Sequence, residues 1–341
     1  MMTADTTDAT KSRKGLILDL LKNQTRVSGQ VLADNTGISR NAVWKTINRL
    51  RAEGYAIDSA PGRGYTLKQI PDRLLAEEIR SGLQTNIFGR QVFSFSEVLS
   101  TQTHVRSLAE DGAPEGSVVL AERQTRGRGR LQRVWTDLPG SIFMSLILRP
   151  EIPPDRAMHF PLLAGVALAK AVQSIAPTLD PQLKWPNDLQ LKGKKCSGIL
   201  AEMAAEPERI HYIILGLGLN VNCPFSKMDP DLRDIATSLQ IESGAPVSRT
   251  TLVRSLLEFL EAIYCSYLTL GFEPIRNEWK QWSTTLNTQV RVRSASETLE
   301  GLALDIDENG ALIIQQTNGR LTTVVAGDVS LRVASGSGGS P

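Results

Sequence analysis

The sequence predicts an α+β chain of three folded parts: a helical segment closed by a hairpin, a mixed α/β body, and a final run of short strands. Three observations lead there. Apolar residues recur at helical spacing up to about Leu50, and two short strands split by Pro61-Gly62-Arg63-Gly64 follow. Buried-strand runs such as Val118 to Ala121 and Ser141 to Leu148 then alternate with helical patterns. From Val290 the pattern becomes short alternating strands, separated by the hairpin signals Asn309-Gly310 and Asn318-Gly319. A chain of 341 residues is long enough for two or three domains at roughly 150 residues each.

The composition, 41% hydrophobic and 22% charged, excludes a wholly disordered, collagen-like or coiled-coil chain. No apolar run approaches the roughly 18 residues of a membrane span; the richest, Leu162 to Val172, carries Lys170. The polar stretch Met1 to Arg13 lacks the apolar core of a secretory signal. Cys196, Cys223 and Cys265 lie far apart, odd in number and without a CxxC pair, which supports neither a disulfide scaffold nor a zinc site. His104, His159 and His211 have no metal-ligand spacing, so no metal ligands are assigned and each histidine reads as structural or surface. A cytoplasmic location with reduced thiols and no membrane partner is the expectation. Residues 1–70 hold 11 Lys/Arg and 6 Asp/Glu, a net +5, while the rest is net −3, so a polyanion partner is expected at the N-terminal end.

Residues 1–13 are expected to be disordered, and residues 14–68 to form three helices and a hairpin. The first helix runs from about Lys14 to Asn23, with Leu16, Ile17, Leu20 and Leu21 as its apolar stripe. Ser28 caps a short second helix holding Val31 and Leu32, which Gly37 stops. Ser39 caps a third, in which Val43, Ile47 and Leu50 recur at spacings of four and three and which Gly54 closes. Strands around Tyr55–Ile57 and Tyr65–Leu67 complete a winged helix-turn-helix. Arg40, Asn41, Trp44 and Lys45 fall near the start of the third helix, where a recognition helix meets base edges, and Arg63 sits at the wing tip. The alternative is a helical module used only for dimerisation. The domain boundary is placed near Gln69, after which residues 69–284 form the central domain.

Four central segments carry chemistry. Ser100-Thr101-Gln102-Thr103 opens a helix, where small hydroxyls cap orphan amides or meet a polar ligand. Gln124 to Trp135 joins two strands and packs Arg126, Arg128, Arg130 and Arg133 around two glycines. Such a loop can close backbone amides and forked guanidinium donors on a phosphate. Trp135 can cover an apolar ring or an adenine. Lys184-Trp185-Pro186-Asn187-Asp188 reads as a tight turn, and Lys195 begins the strand returning from the Lys192-Gly193-Lys194 tip. Lys195 is either a solvated hairpin lysine or a partner for an anionic substrate. Gly216-Leu217-Gly218 lies in an apolar strand followed by no helix, so it reads as the floor of a pocket and not as a dinucleotide loop.

Together these segments resemble the catalytic domain of biotin–protein ligases. The match rests on Gly127-Arg128-Gly129-Arg130-x-x-Arg133-x-Trp135, Lys184-Trp185-Pro186-Asn187-Asp188, Gly198-Ile199-Leu200-x-Glu202, and Gly216-x-Gly218-x-Asn220-x-Asn222. Ala236-Thr237-Ser238-Leu239 matches a further short motif. With the winged helix in front, the chain resembles the bifunctional class that is also the biotin operon repressor.

The resemblance implies a central domain similar to class II aminoacyl-tRNA synthetases, with biotin and ATP as substrates and Mg²⁺ as the accompanying ion. It implies that Ser100, Thr101, Gln102, Gln124, Arg128, Gly129, Arg130 and Lys195 bind biotin. Arg128, Arg130, Trp135, Asn187, Asn220 and Arg332 would bind the adenylate. Lys195, Arg128 and Arg130 would serve catalysis, and Ser39, Arg40, Asn41, Trp44, Lys45 and Arg63 would bind DNA. The implied partners are the biotin carboxyl carrier protein of acetyl-CoA carboxylase, operator DNA, and a second copy of the chain when biotinyl-AMP is bound. The sequence departs from the family at two places: Gln102 stands where Asn is usual, and Leu131-Gln132 where Arg-Gly is frequent. Other readings are a biotin sensor without ligase activity, or a lipoate- or octanoate-transferring relative.

Leu252 to Ile263 and Ile275 to Trp282 are helical and supporting. Residues 285–333 read as a small SH3-like β-barrel. The Ser- and Gly-rich residues 334–341 read as a disordered tail.

Overall fold

The computed structural model describes residues 12–60, 62–293, 298–325 and 327–331. Residues 1–11 of the stretch 1–13 expected to be disordered, the tail 334–341 and Arg332 lie outside the described residues, whereas Ser12 and Arg13 are ordered as the cap and first residue of a helix. The chain divides into two compact units, residues 1–83 and 84–341.

In the first unit α1 (Arg13–Asn23), α2 (Gly29–Thr36) and α3 (Arg40–Ala52) precede a two-stranded antiparallel wing, β1 (Ala56–Ala60) and β2 (Gly64–Gln69). Serine hydroxyls cap all three helices. Ser12 accepts from the Gly15 amide, Ser28 from Val31 and Ser39 from Ala42, each satisfying one orphan N–H. The expected stripe on α1 is rotated slightly: Ile17, Leu18 and Leu21 are buried, whereas Leu16 and Leu20 are half-buried. They pack on Leu32, Val43, Ile47 and Leu50.

The first unit ends later than the boundary expected near Gln69, because a short α4 (Ala76–Arg80) is tied to it by charge. Buried Glu78 accepts from the Tyr55 hydroxyl at 2.7 Å and pairs with Lys22 at 2.7 Å. Lys14 bridges Glu53 and Glu77, and Ser81 donates to Asp19. Polar side chains at such spacings in sequence gave no periodic signal.

The second unit is built on a seven-stranded sheet. Its strands are β3 (Val92–Phe95), β4 (Val118–Ala121), β5 (Ile142–Leu148), β6 (Gln182–Lys184), β7 (Asp188–Leu191), β8 (Lys194–Glu206) and β9 (Arg209–Leu219). Spatial order is β3-β4-β5-β9-β8-β7-β6. Only β3 and β4 are parallel, joined through α5 (Thr101–Glu110); the other neighbours are antiparallel. Val105 and Ala109 of α5 pack on Val119, Ile147 and Ile214, which fixes α5 on one sheet face. The opposite face carries α6 (His159–Ile175), where Gly165 lies against Leu183 and Ile199. A short α7 (Leu239–Ser243) precedes α8 (Arg249–Leu270) and α9 (Glu273–Trp282), which pack on α6. Pro154–Ile175 is long and apolar enough to cross a membrane, more than the sequence reading allowed, but 67% of its apolar window is buried within the fold.

The chain closes with an antiparallel five-stranded sheet of β10 (Gln289–Arg293), β11 (Thr298–Ile306), β12 (Leu312–Gln315), β13 (Leu321–Val324) and β14 (Asp328–Leu331). Its 307–310 turn is pinned to the large sheet domain by two aromatic N–H donors. Trp185, buried after β6, donates from Nε1 to the Gly310 carbonyl at 2.9 Å. His159 lies 3.1 Å from the Glu308 carbonyl through Nε2 and 2.9 Å from the Tyr267 hydroxyl through Nδ1. A carbonyl can only accept, so Nε2 carries the proton and Nδ1 accepts from Tyr267. Both nitrogens are then satisfied in the neutral ring, which stacks on Phe272 at 3.9 Å.

Burial pushes the His159 pKa down from 6.5 to about 4. Between those values the unfolded chain binds a proton that the folded chain refuses, so stability falls as pH drops from 6.5 to 4. His159→Gln should lose this component. Denaturant titrations of both proteins at pH 7 and pH 4.5 should show the stability advantage of wild type shrinking by roughly 2–3 kcal/mol. An advantage independent of pH would contradict a neutral buried His159.

Candidate active site and nucleic-acid interface

The face of the sheet that carries α5 is stripped of side chains in one row and on one strand of the next. Gly198 of β8 pairs with Gly218 of β9, and Gly216 pairs with Leu200 in the next row. A Cβ at Gly218 or Gly198 would come within 2.5 Å or 2.7 Å of the Trp135 ring. A Cβ at Gly216 would meet Gln102 Oε1 at 2.3 Å. Trp135 and Gln102 therefore lie directly on backbone, where any larger residue would exclude them. Two residues along a strand advance about 7 Å, so Gln102 and Trp135 mark two ends of one trough about that far apart.

At the Gln102 end, the polar groups are held by one another. Gln124 Oε1 accepts from the Thr101 amide at 2.7 Å and from its hydroxyl at 3.1 Å. That occupies the carbonyl and leaves the Gln124 amide nitrogen as a donor for the cavity. Gln102 donates to the Ile214 carbonyl at 3.2 Å, and Ser145 Oγ lies 2.8 Å from Thr101 Oγ1 and 3.0 Å from Gln102 Oε1. The extra methylene of Gln over Asn fits here because Gly216 has no Cβ. Ser100 is buried at the N-terminus of α5, and its side chain makes no capping bond.

At the Trp135 end the groups are charged. Lys195 Nζ is 2.6 Å from Asp188 and 5.4 Å from the Trp135 ring centroid, between a carboxylate and a π face. The Trp185-Pro186 peptide is cis and turns the chain from β6 into β7. Asn187 then donates to the Ile199 carbonyl, and its own Oδ1 accepts from Arg130 at 3.2 Å. Arg130 also reaches the Gly327 carbonyl at 3.4 Å, linking the loop to the C-terminal sheet. Arg128, from the same loop, reaches back past the Gln102 end and pairs with Glu202 at 3.2 Å. Leu131, at the exposed tip of the loop, holds a left-handed φ of 52°.

A cavity of about 170 Å³ collects most of the predicted residues. Ser100, Thr101, Gln102 and Gln124 line one part; Arg128, Gly129, Arg130 and Trp135 line the loop side; Asn187 and Lys195 complete it. Asn220 is not among the lining residues. It is buried just beyond β9 and donates to the Thr237 carbonyl, which ties the Ala236-Thr237-Ser238-Leu239 segment to the sheet. Sequence reasoning missed Ser145, whose signal was a lone hydroxyl in the apolar run Ile142–Leu148, and Asp188, which the turn motif contained. Burial raises the pKa of Cys196 and Cys223, so neither thiol is a ready nucleophile. Among the described residues no group of three or more His, Cys, Asp or Glu is placed to hold a metal ion.

In the first unit Arg40, Asn41, Trp44 and Lys45 are all exposed on α3, opposite the buried Val43, Ile47 and Leu50; Trp44 is 52% exposed. Arg63 is exposed between β1 and β2. Ser39 caps α3, so its hydroxyl is committed to the helix.

Fold and site define a class: a helix-turn-helix unit followed by an enzyme-type α/β domain whose cationic loop covers a glycine-floored cavity. The Biotin/lipoate A/B protein ligase family matches residues 95–220, an HTH domain residues 13–66, and the Biotin protein ligase C terminal domain residues 285–332. The bifunctional ligase/repressor BirA of Bacillus spizizenii is 40% identical over 89% of this chain and 94% of its own length. That of Escherichia coli is 28% identical over 93% and 97%. A biotin protein ligase from Aquifex aeolicus, solved in complex with biotin and ATP, superposes with a TM-score of 0.62 at 27% identity, covering 71% of this chain and 98% of that one. The chain belongs to the biotin–protein ligase family, in its bifunctional ligase/repressor branch.

The glycine floor has a direct test. Gly218→Ala should push Trp135 off the sheet at a cost of about 1–3 kcal/mol. Tryptophan emission should shift to the red as the ring meets water; unchanged emission with full stability would contradict the packing.

Proposed function

We propose that this protein activates biotin with ATP, transfers it to a lysine of a biotin carboxyl carrier protein, and represses transcription as a DNA-binding protein. The observation that carries the ligase reading is convergence: Lys195, Arg128, Arg130 and Trp135 meet Ser100, Thr101, Gln102 and Gln124 in one cavity. In the first step a biotin carboxylate oxygen attacks the α-phosphorus of ATP, and the bond to the bridging oxygen breaks to release pyrophosphate. In the second, an acceptor lysine amine attacks the acyl carbon of biotinyl-AMP, AMP leaves, and the amine loses a proton. No enzyme nucleophile takes part.

The trough suits these reactants. Its polar end offers the Gln124 amide and the Ser100 hydroxyl to a ring carrying both donors and acceptors, such as the biotin ureido group. Lys195, at the other end, meets the carboxylate. Repulsion between that carboxylate and a triphosphate is the main obstacle, and fixed cations lower it without reorganisation. Arg130, Trp135 and Asn187 are assigned to the nucleotide, with Arg332 as the C-terminal contributor. Mg²⁺ would be held by the triphosphate, whose charge it would offset, since Asp188 and Glu202 are already engaged in ion pairs. The large sheet is read as the scaffold of class II aminoacyl-tRNA synthetases and the C-terminal sheet as SH3-like. A homodimer of the biotinyl-AMP complex, bound to operator DNA through α3 and Arg63, completes the repressor reading.

Biotin-dependent exchange of pyrophosphate into ATP tests the ligase half. Exchange with biotin and not with lipoate is expected, and Lys195→Ala should lower it by about 100-fold or more. Absence of exchange with either acid in the folded protein would refute the proposal. For the DNA half, Lys45→Ala should weaken operator binding and reduce the slope of log affinity against log salt by about 1. An unchanged slope and affinity would remove Lys45 from the interface.

A further inference from the structure

Trp44 is the largest apolar side chain that the described residues of the first unit leave in solvent; Val31 and Ile70 are the others. It stands in the first half of α3, is 52% exposed, and takes no part in the core of Val43, Ile47 and Leu50. A single exposed apolar residue needs no explanation by itself. Its neighbours supply one. Residues three and four apart on a helix share a face. Arg40 lies four before Trp44, Asn41 three before, and Lys45 four after Asn41, so the indole is set in a patch of cations and an amide. The whole of α3 carries Arg40, Lys45, Arg49 and Arg51 and no carboxylate. The macrodipole favours acids in a first turn, and Arg40 there runs against it. A phosphate backbone would offset that cost.

In a duplex the faces of the bases are closed in the stack, so a side chain on a helix surface meets their edges. Along the major groove those edges are donors and acceptors, apart from the C5 methyl of thymine, which suits an indole. Adenine presents an adjacent acceptor and donor, which suit a carboxamide. Asn48 already spends its carbonyl on Arg51 at 3.1 Å, so Asn41 is the amide of this face placed for a base. We propose that Trp44 is a specificity-determining residue that packs on a thymine methyl in the major groove, with Asn41 reading adenine beside it. The DNA site then requires A·T pairs beneath the first half of α3. This deepens the reading of α3 as a recognition helix and rests on it. The surrounding cations hold the register on phosphates, while Trp44 and Asn41 carry the sequence information.

The test uses the full chain, with biotin and ATP present, and a duplex that it enriches from a randomised pool. Each thymine of that duplex is replaced in turn by deoxyuridine, which keeps the base pair and removes only the methyl. At least one replacement should weaken binding to wild type about three- to tenfold, the effect of losing one buried methyl contact. Trp44→Ala should unfold at the wild-type temperature, since the side chain is outside the core. It should bind the parent duplex at least as weakly as wild type binds the deoxyuridine form, and the same replacement should then cost nothing further. Trp44→Phe, which keeps an aromatic ring, should restore part of the methyl dependence. A selected duplex in which no methyl matters, or an equal deoxyuridine penalty in wild type and Trp44→Ala, would overturn the proposal while leaving α3 a recognition helix. Failure to enrich any duplex would refute the recognition-helix reading itself, and the proposal with it.

Discussion

Gly198 and Gly218 face each other across the β8–β9 ladder, with Gly216 in the next row, and the cavity above them is where the proposed chemistry has room to happen. A strand interior favours β-branched and aromatic residues, and glycine there forfeits packing. What is gained is a surface of bare backbone on which Trp135 lies flat and against which Gln102 is wedged. The spacing of the glycines along the strands sets the distance between the polar and charged ends of the trough. Everything else about the site is a matter of bringing side chains to the rim.

Those side chains come from separate elements, and each is held by a neighbour. The N-terminus of α5 is locked by Gln124, and the turn after β6 is locked by Asn187 to Ile199. Arg130 joins that turn to Gly327 of the C-terminal sheet, and the same sheet is pinned below by Trp185 and His159. The C-terminal sheet is thus fixed to the activation domain at its 307–310 turn and again at Gly327 beside the arginine loop. A site assembled this way keeps its geometry largely through hydrogen bonds with backbone amides and carbonyls, which do not depend on the identity of the residue that carries them.

Much of this was legible in the sequence. The three N-cap serines included Ser28 and Ser39 by position, the wing followed from its glycines, and the C-terminal strands followed from Asn309-Gly310 and Asn318-Gly319. Ten of the residues named for the biotin and nucleotide sites line one cavity, because motif residues sit at strand ends and helix starts that the topology brings together. Contacts between segments distant in sequence were not legible. Glu78 tying α4 to Tyr55 and Lys22, Asp188 pairing with Lys195, and His159 bonding Glu308 are set by tertiary placement, for which periodicity carries no signal. Asn220 shows the converse: a polar residue at a strand exit reads as a ligand contact, yet it spends its amide on the Thr237 carbonyl.

In the proposed reaction biotin and ATP meet over the glycine floor, beneath the arginine loop. Amide hydrogen exchange on the full chain, with and without biotin plus ATP, tests it most directly. Protection on ligand addition should concentrate in residues 124–135, at the start of α5 and in the β8–β9 segment around Gly198 and Gly218. Protection confined to other surfaces, with the loop exchanging as fast as before, would contradict it.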